Sequence, residues 1–164
     1  MEKKPLSDWI KAPVSIISSL LIGFAGNIFN FESLETWYPT LIKPDWTPPN
    51  WIFAPVWSTL FILMGISTFL VWREGFDKRI VKIALSVYVI QFALNLMWSW
   101  AFFGLQSPLF GFIVIVVLWI AILANIIVYA RISKIAAAIL LPYIVWVTIA
   151  SVLNFSVYVL NPPV

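Results

Sequence analysis

The chain is predicted to be an all-α integral membrane protein, a five-transmembrane-helix bundle whose Pro/Trp-rich first loop acts as a lid. Three observations carry this. Of its 164 residues, 62% are hydrophobic and 10% charged, whereas a soluble domain is roughly half apolar and a quarter charged. The charges leave four uncharged runs, 12–31, 46–72, 83–130 and 135–164. A span needs about 20 apolar residues to cross about 30 Å of hydrocarbon, so the length accommodates roughly five crossings and no separate soluble domain. Residues 1–164 are therefore read as one membrane domain.

The first span is placed at 12–30. Ser15, Ser19 and Gly23 recur at four-residue steps, a small-residue seam that lets another helix approach closely. Packing within the bundle is expected there rather than dimerisation. A signal peptide is the competing reading, but the run has no small-x-small cleavage site followed by a hydrophilic chain, so the helix is expected to be retained.

Residues 31–50 form the first loop, and Pro39, Pro44, Pro48 and Pro49 make it stiff rather than regularly helical. Stiff segments lose little entropy on closing over a cavity, and Trp37, Tyr38 and Trp46 supply an apolar inner surface. An interfacial aromatic belt is the alternative for these rings.

The second span, 51–72, carries Pro55 in its first turns. This proline leaves the Trp51 carbonyl without its amide partner and bends the helix. Trp57 and Phe61 then share one face. Run 83–130 is twice one span, and Gly104-Leu-Gln-Ser-Pro108 divides it into helices at 80–103 and 108–130.

In the third span Gln91, Asn95, Trp98 and Phe102 form one stripe. Amides in hydrocarbon need partners, so Gln91 and Asn95 should face the interior; an interhelical hydrogen bond that only holds the bundle together is the alternative reading. Trp119 and Asn125 lie in the fourth span without a clear context. The fifth, 134–160, repeats the pattern with Trp146, Ala150 and Asn154, and Pro142 should kink it. A small Ala150 between an indole and an amide leaves space, as a pocket for a flat apolar ligand requires.

Charge sets orientation and excludes chemistry. Nine of the ten Lys and Arg fall in the N-terminal tail and in the second and fourth loops, while the opposite side has Lys43. The N-terminus is then cytoplasmic and the C-terminus outside, in a prokaryotic cell membrane. All seven carboxylates, Glu2, Asp8, Glu32, Glu35, Asp45, Glu74 and Asp77, are placed outside the spans, which removes pumps and voltage sensors that need an intramembrane ionisable group. With no Cys and no His, thiol nucleophiles, Ser-His-Asp triads, structural zinc and the usual haem ligands are absent. No metal site or nucleic-acid patch is visible.

Trp37-Tyr38 through Lys43-Pro44-x-Trp46-x-Pro48-Pro49-x-Trp51, continuing to Pro55-Val-Trp57, resembles the first loop and second helix of the TspO/MBR family of translocator proteins, also called tryptophan-rich sensory proteins and peripheral-type benzodiazepine receptors. Ala93-Leu94-Asn95 with Trp98 and Phe102-Phe103-Gly104 resembles its third helix, and Pro142-Tyr143-x-x-Trp146 with Leu153-Asn154 its fifth. The resemblance covers about residues 12–160. It implies a five-helix membrane protein, in many members a homodimer, that binds porphyrins such as protoporphyrin IX and isoquinoline or benzodiazepine-type ligands for sensing, sequestration or transport.

Carried over by position, Tyr38, Trp46, Trp57, Asn95, Trp98, Trp146 and Ala150 would bind the ligand, and the spacing of the fifth span adds Asn154 to this set. Light- and oxygen-dependent porphyrin breakdown, which the resemblance attaches to Trp57 and Trp146, is one alternative activity. A passive carrier or channel for lipophilic metabolites is the other. No cofactor is required, porphyrin being the ligand, and any haem would be weakly coordinated. Tyr158 is followed by Val-Leu-Asn-Pro-Pro-Val, so the basic residue that ends the animal cholesterol motif is missing. Trp100 stands where animal members have Pro, which places the chain among microbial members.

Overall fold

A computed structural model describes residues 8–162, and the cationic positions Lys3 and Lys4, like Glu2, lie outside them. Among the described residues all regular structure is helical, and five helical stretches are long and apolar enough to cross a membrane. Helix α1 spans Asp8–Ala25 and runs into a 3-10 turn at Gly26–Phe29. It includes Asp8, the first described residue and four before the predicted position, and a carboxylate near a helix N-terminus complements the exposed amides. Lys11 reaches back to Asp8 at 3.4 Å. One carboxylate expected outside the spans thus belongs to the end of one.

The predicted loop 31–50 is more ordered than its prolines imply. Phe31–Thr36 forms helix α2 and Tyr38–Thr40 a 3-10 turn, since no proline intervenes before Pro39 and a proline near the start of a helical turn has no amide to lose. Ser33 Oγ donates to the Phe103 carbonyl at 2.7 Å and so ties α2 to the third span. Irregular backbone is confined to 41–49, where Thr47 closes a turn by donating its amide to the Pro44 carbonyl at 3.0 Å.

Helix α3 spans Asn50–Trp72 and helix α4 Arg79–Ser99. Helix α4 continues as a π turn over Trp100–Gly104, closed by the Leu105 amide on the Trp100 carbonyl at 2.8 Å. That turn widens the helix where Phe102 and Phe103 are both buried. Helix α5, Pro108–Ala130, starts at Ser107, whose Oγ accepts from the Phe110 amide at 3.3 Å. The fifth predicted span is two helices, α6 Lys134–Ile139 and α7 Leu141–Leu160. The break at Leu140 has a local cause, because Pro142 has no amide for the Ala138 carbonyl.

Helix α1 packs chiefly on α3, α4 on α5, and α5 on α7. The closest approaches occur at glycines. A Cβ on Gly65 would lie 2.6 Å from Ile16 Cα, so α1 and α3 touch along their backbones. A Cβ on Gly111 would lie 2.9 Å from Phe102 and 3.0 Å from Asn154 Oδ1, which puts α4, α5 and α7 in one tight junction. The core runs from Met64 and Ile122 to Tyr143 and Val147. Above it, towards the lid, the helices separate.

A candidate ligand cavity under the lid

The space between the separated helices is a cavity of about 320 Å³. Its walls come from α1, α3, α4 and α7, and its cover from the segment 30–38. Tyr38 lines it from above and is 6% exposed, with its ring 6.4 Å from Phe102 and 5.9 Å from Phe103. Lys43 holds this residue in place, donating to the Tyr38 carbonyl at 2.7 Å while its ammonium stands 4.5 Å from the ring centroid. Burial raises the Tyr38 phenol pKa above its ordinary value and lowers that of the Lys43 ammonium.

The aromatic wall belongs to a continuous stack whose far ring, Phe92, is buried behind the lining residues. Phe92, Phe61, Trp57, Trp98 and Phe102 follow one another at 5.9, 5.6, 6.4 and 5.7 Å between centroids, with interplanar angles of 22–29°. Helices α3 and α4 each contribute on a four-residue repeat, Trp57 and Phe61 facing Trp98 and Phe102. Trp98 is oriented by its indole Nε1, which donates to Asn154 Oδ1 at 3.1 Å. Asn154 is fixed in turn by donating Nδ2 to the Pro108 carbonyl at 2.7 Å. At the floor Asn95 Nδ2 donates to the Tyr143 hydroxyl at 3.3 Å, leaving Asn95 Oδ1 as an acceptor on the wall.

No charged side chain lines the cavity among the described residues, and none of them cluster as a metal site would require. The lining is apolar and aromatic, with amides and a phenol among it. Such a surface takes a planar uncharged ring system and rejects an ion, whose desolvation nothing here offsets.

Six of the eight residues predicted as ligand-binding come together at this cavity: Tyr38, Trp57, Asn95, Trp98, Ala150 and Asn154. Trp46 and Trp146 lie elsewhere. Trp46 is 50% exposed, being one of the two central residues of the Pro44–Thr47 turn. Trp146 faces a second, shallower groove on the outside of α3 and α7 with Pro55, Pro142 and Val145, and meets Phe53 edge-on at 5.7 Å. Four-residue steps advance an α-helix by about 40°, so Trp146 and Asn154 stand at the two edges of the stripe centred on Ala150, and the edge that carries Trp146 lines the outer groove while Ala150 and Asn154 line the cavity. Gly23, Phe24, Asn30 and Leu34 also line the cavity; the small residue at 23 signalled close packing, but its place on the cavity wall has no signature in sequence.

The family model described as TspO/MBR family matches residues 15–160. A Tryptophan-rich protein TspO of Chlorobaculum tepidum is 47% identical over 143 residues, covering 87% of this chain and 90% of the relative. The human Translocator protein is 34% identical over 152 residues, 92% of this chain and 89% of its own length. A Tryptophan-rich sensory protein of Cereibacter sphaeroides is 33% identical over 128 residues, 77% and 78% of the two chains.

Proposed function

The chain belongs to the TspO/MBR family of multi-pass membrane proteins, and from that premise we propose that the cavity under the lid binds a tetrapyrrole, with protoporphyrin IX as the reference ligand, for sensing, sequestration or transport. One observation carries the reading: the five stacked rings from Phe92 to Phe102, with Trp57 and Trp98 exposed to the cavity beside the small Ala150. One edge of the macrocycle entering beside Ala150 lies against Trp57 and Trp98, with the Asn95 amide at its rim. Its acid groups stay at the mouth, because an unpaired buried carboxylate costs several kcal/mol. Isoquinoline and benzodiazepine-type ligands offer smaller aromatic surfaces without the charge.

The relative named as a sensory protein and the lack of an intramembrane carboxylate in the middle of any span both favour binding over ion-coupled pumping. The basic residues Arg73, Lys78, Arg79, Lys82, Arg131 and Lys134 lie at the end of the bundle opposite the lid, so the cavity opens on the outer side.

Quenching of tryptophan fluorescence by protoporphyrin IX in detergent tests the proposal. The expected result is saturable quenching by the wild type and a Kd about tenfold weaker in Ala150→Leu, whose three added carbons fill the slot beside Trp98. Unchanged affinity in both Ala150→Leu and Trp57→Phe would overturn it. Trp57, an indole within the stack, also favours a second reading, light-dependent breakdown of the bound macrocycle. Porphyrin absorbance lost on illumination as fast with Trp57→Phe, or with no protein, rejects it.

A further inference from the structure

The C-terminal turn of α7 does more than end a helix. The Asn161 amide caps the Val157 carbonyl at 3.1 Å, and its side-chain Nδ2 donates to the same carbonyl at 2.8 Å. The carboxamide is thereby held rigid with its outer edge free, and that edge pairs with the lid. Asn161 Oδ1 accepts from the Ile42 amide at 2.9 Å, and Nδ2 donates to the Ile42 carbonyl at 2.9 Å. One side chain thus satisfies both backbone groups of a residue 119 positions away, much as a neighbouring strand would.

What this pair touches on each side connects it to the cavity. Val157, the anchor, is a lining residue of the wall. On the lid, Ile42 is followed by Lys43, whose ammonium grips the Tyr38 carbonyl at 2.7 Å and the Leu41 carbonyl at 3.2 Å. Tyr38 is the ring that covers the cavity. A continuous set of polar contacts therefore runs from the wall through Asn161, Ile42 and Lys43 to the covering ring. Elsewhere 41–49 is irregular backbone with Pro44, Pro48 and Pro49, and prolines cannot donate to a partner.

We propose that Asn161 is the latch of the lid: its two-sided pairing with Ile42 fixes the segment 38–43 and, through it, holds Tyr38 over the cavity, which sets how often ligand can pass. Asn161 is a positioning residue and touches no ligand. The inference rests on the cavity being a ligand site, but the latch itself is a property of the free protein. A residue that served only as a helix cap would stabilise the end of α7 without governing access to a chamber lined by Ala150.

The chain has no cysteine, so Ala150→Cys provides a single buried thiol in the cavity wall for a water-soluble maleimide. The labelling rate reports opening without any ligand. In that background Asn161→Leu, which removes both bonds to Ile42, is expected to raise the labelling rate about tenfold, the order that one to two lost hydrogen bonds represent. Asn161→Asp keeps the acceptor for the Ile42 amide but turns a carboxylate oxygen towards the Ile42 and Val157 carbonyls, and should also label faster than the wild type. Hydrogen exchange of the Ile42 amide should accelerate by a similar factor in Asn161→Leu.

Labelling unchanged by Asn161→Leu, with α7 intact by circular dichroism, overturns the latch. Faster exchange at Ile42 without faster labelling also overturns it, since the lid would then open without exposing the cavity. Protoporphyrin IX rates complete the test: association and dissociation should rise together in Asn161→Leu, with Kd moving less than either. If the wild type binds no porphyrin, the ligand assignment fails, and labelling and exchange still decide the latch.

Discussion

Gly65→Ala is the substitution whose cost follows most directly from the packing of α1 on α3. A Cβ at position 65 would stand 2.6 Å from Ile16 Cα, 2.9 Å from the Ser15 carbonyl oxygen and 3.1 Å from the Ile16 nitrogen. Carbon atoms in contact sit at about 3.5–4.0 Å, so α1 must withdraw by about 1 Å, and no rotamer change relieves a clash with backbone. Overpacking of this kind costs about 1–3 kcal/mol. The withdrawal also strains the bond between Ser19 Oγ and the Tyr88 hydroxyl, 2.7 Å long and one turn away, worth about 0.5–1.5 kcal/mol. Against this, alanine is favoured in a helix interior by about 1 kcal/mol.

The net expectation for Gly65→Ala is a loss of about 1–3 kcal/mol, a fall in Tm of roughly 5 °C for a chain of this size. Thermal unfolding in detergent, followed by loss of the monodisperse peak on size exclusion, measures it. Gly26→Ala is the control: its Cβ would meet the Ser99 hydroxyl at 3.2 Å, a side chain that can turn aside, and should shift Tm far less. An unchanged or raised Tm in Gly65→Ala would refute backbone-to-backbone packing of α1 on α3.

Gly23→Ala pushes into the Phe61 ring, which is confined between Trp57 and Phe92; titration with protoporphyrin IX should show affinity lost roughly tenfold for a smaller change in Tm. Asn154→Leu removes the acceptor for the Trp98 indole and the donor to the Pro108 carbonyl, leaving both unpaired. The cost should be about 1–3 kcal/mol in thermal unfolding, with a red-shifted or broadened tryptophan emission as Trp98 loses its orientation.

Burial raises the Tyr38 pKa, so its contribution to lid stability is complete below the ordinary phenol value and lost as pH rises above it towards the folded-state value. Lys43, lowered by burial, acts in the opposite sense over the window below the ordinary lysine value. It is the more exposed of the two and the weaker influence. In a spectrophotometric titration Tyr38→Phe should remove a phenol that ionises above pH 10.

The spans were legible because charges and prolines end them. The predicted 51–72 and 108–130 correspond to Asn50–Trp72 and Pro108–Ala130. The start of α1 was not, since Asp8 and Lys11 read as solvent-exposed punctuation until their pairing across one turn is seen. In the lid, four prolines masked the short helix Phe31–Thr36, whose fixing bond from Ser33 goes to a carbonyl 70 residues away. Helical spacing identified Trp57, Asn95, Trp98 and Ala150 because each lies on a face turned inward. The same spacing does not reveal that Trp146, at the edge of its stripe, lines the outer groove, and it has no means of revealing Asn161, whose partners are the backbone groups of Ile42.

Determining the structure with protoporphyrin IX bound is the most direct test. The macrocycle should lie beside Ala150 against Trp57 and Trp98, beneath Tyr38, with its acid groups at the lid. A macrocycle found instead in the outer groove of Pro55, Pro142 and Trp146, with the inner cavity unchanged, would contradict the assignment of the cavity as the ligand site.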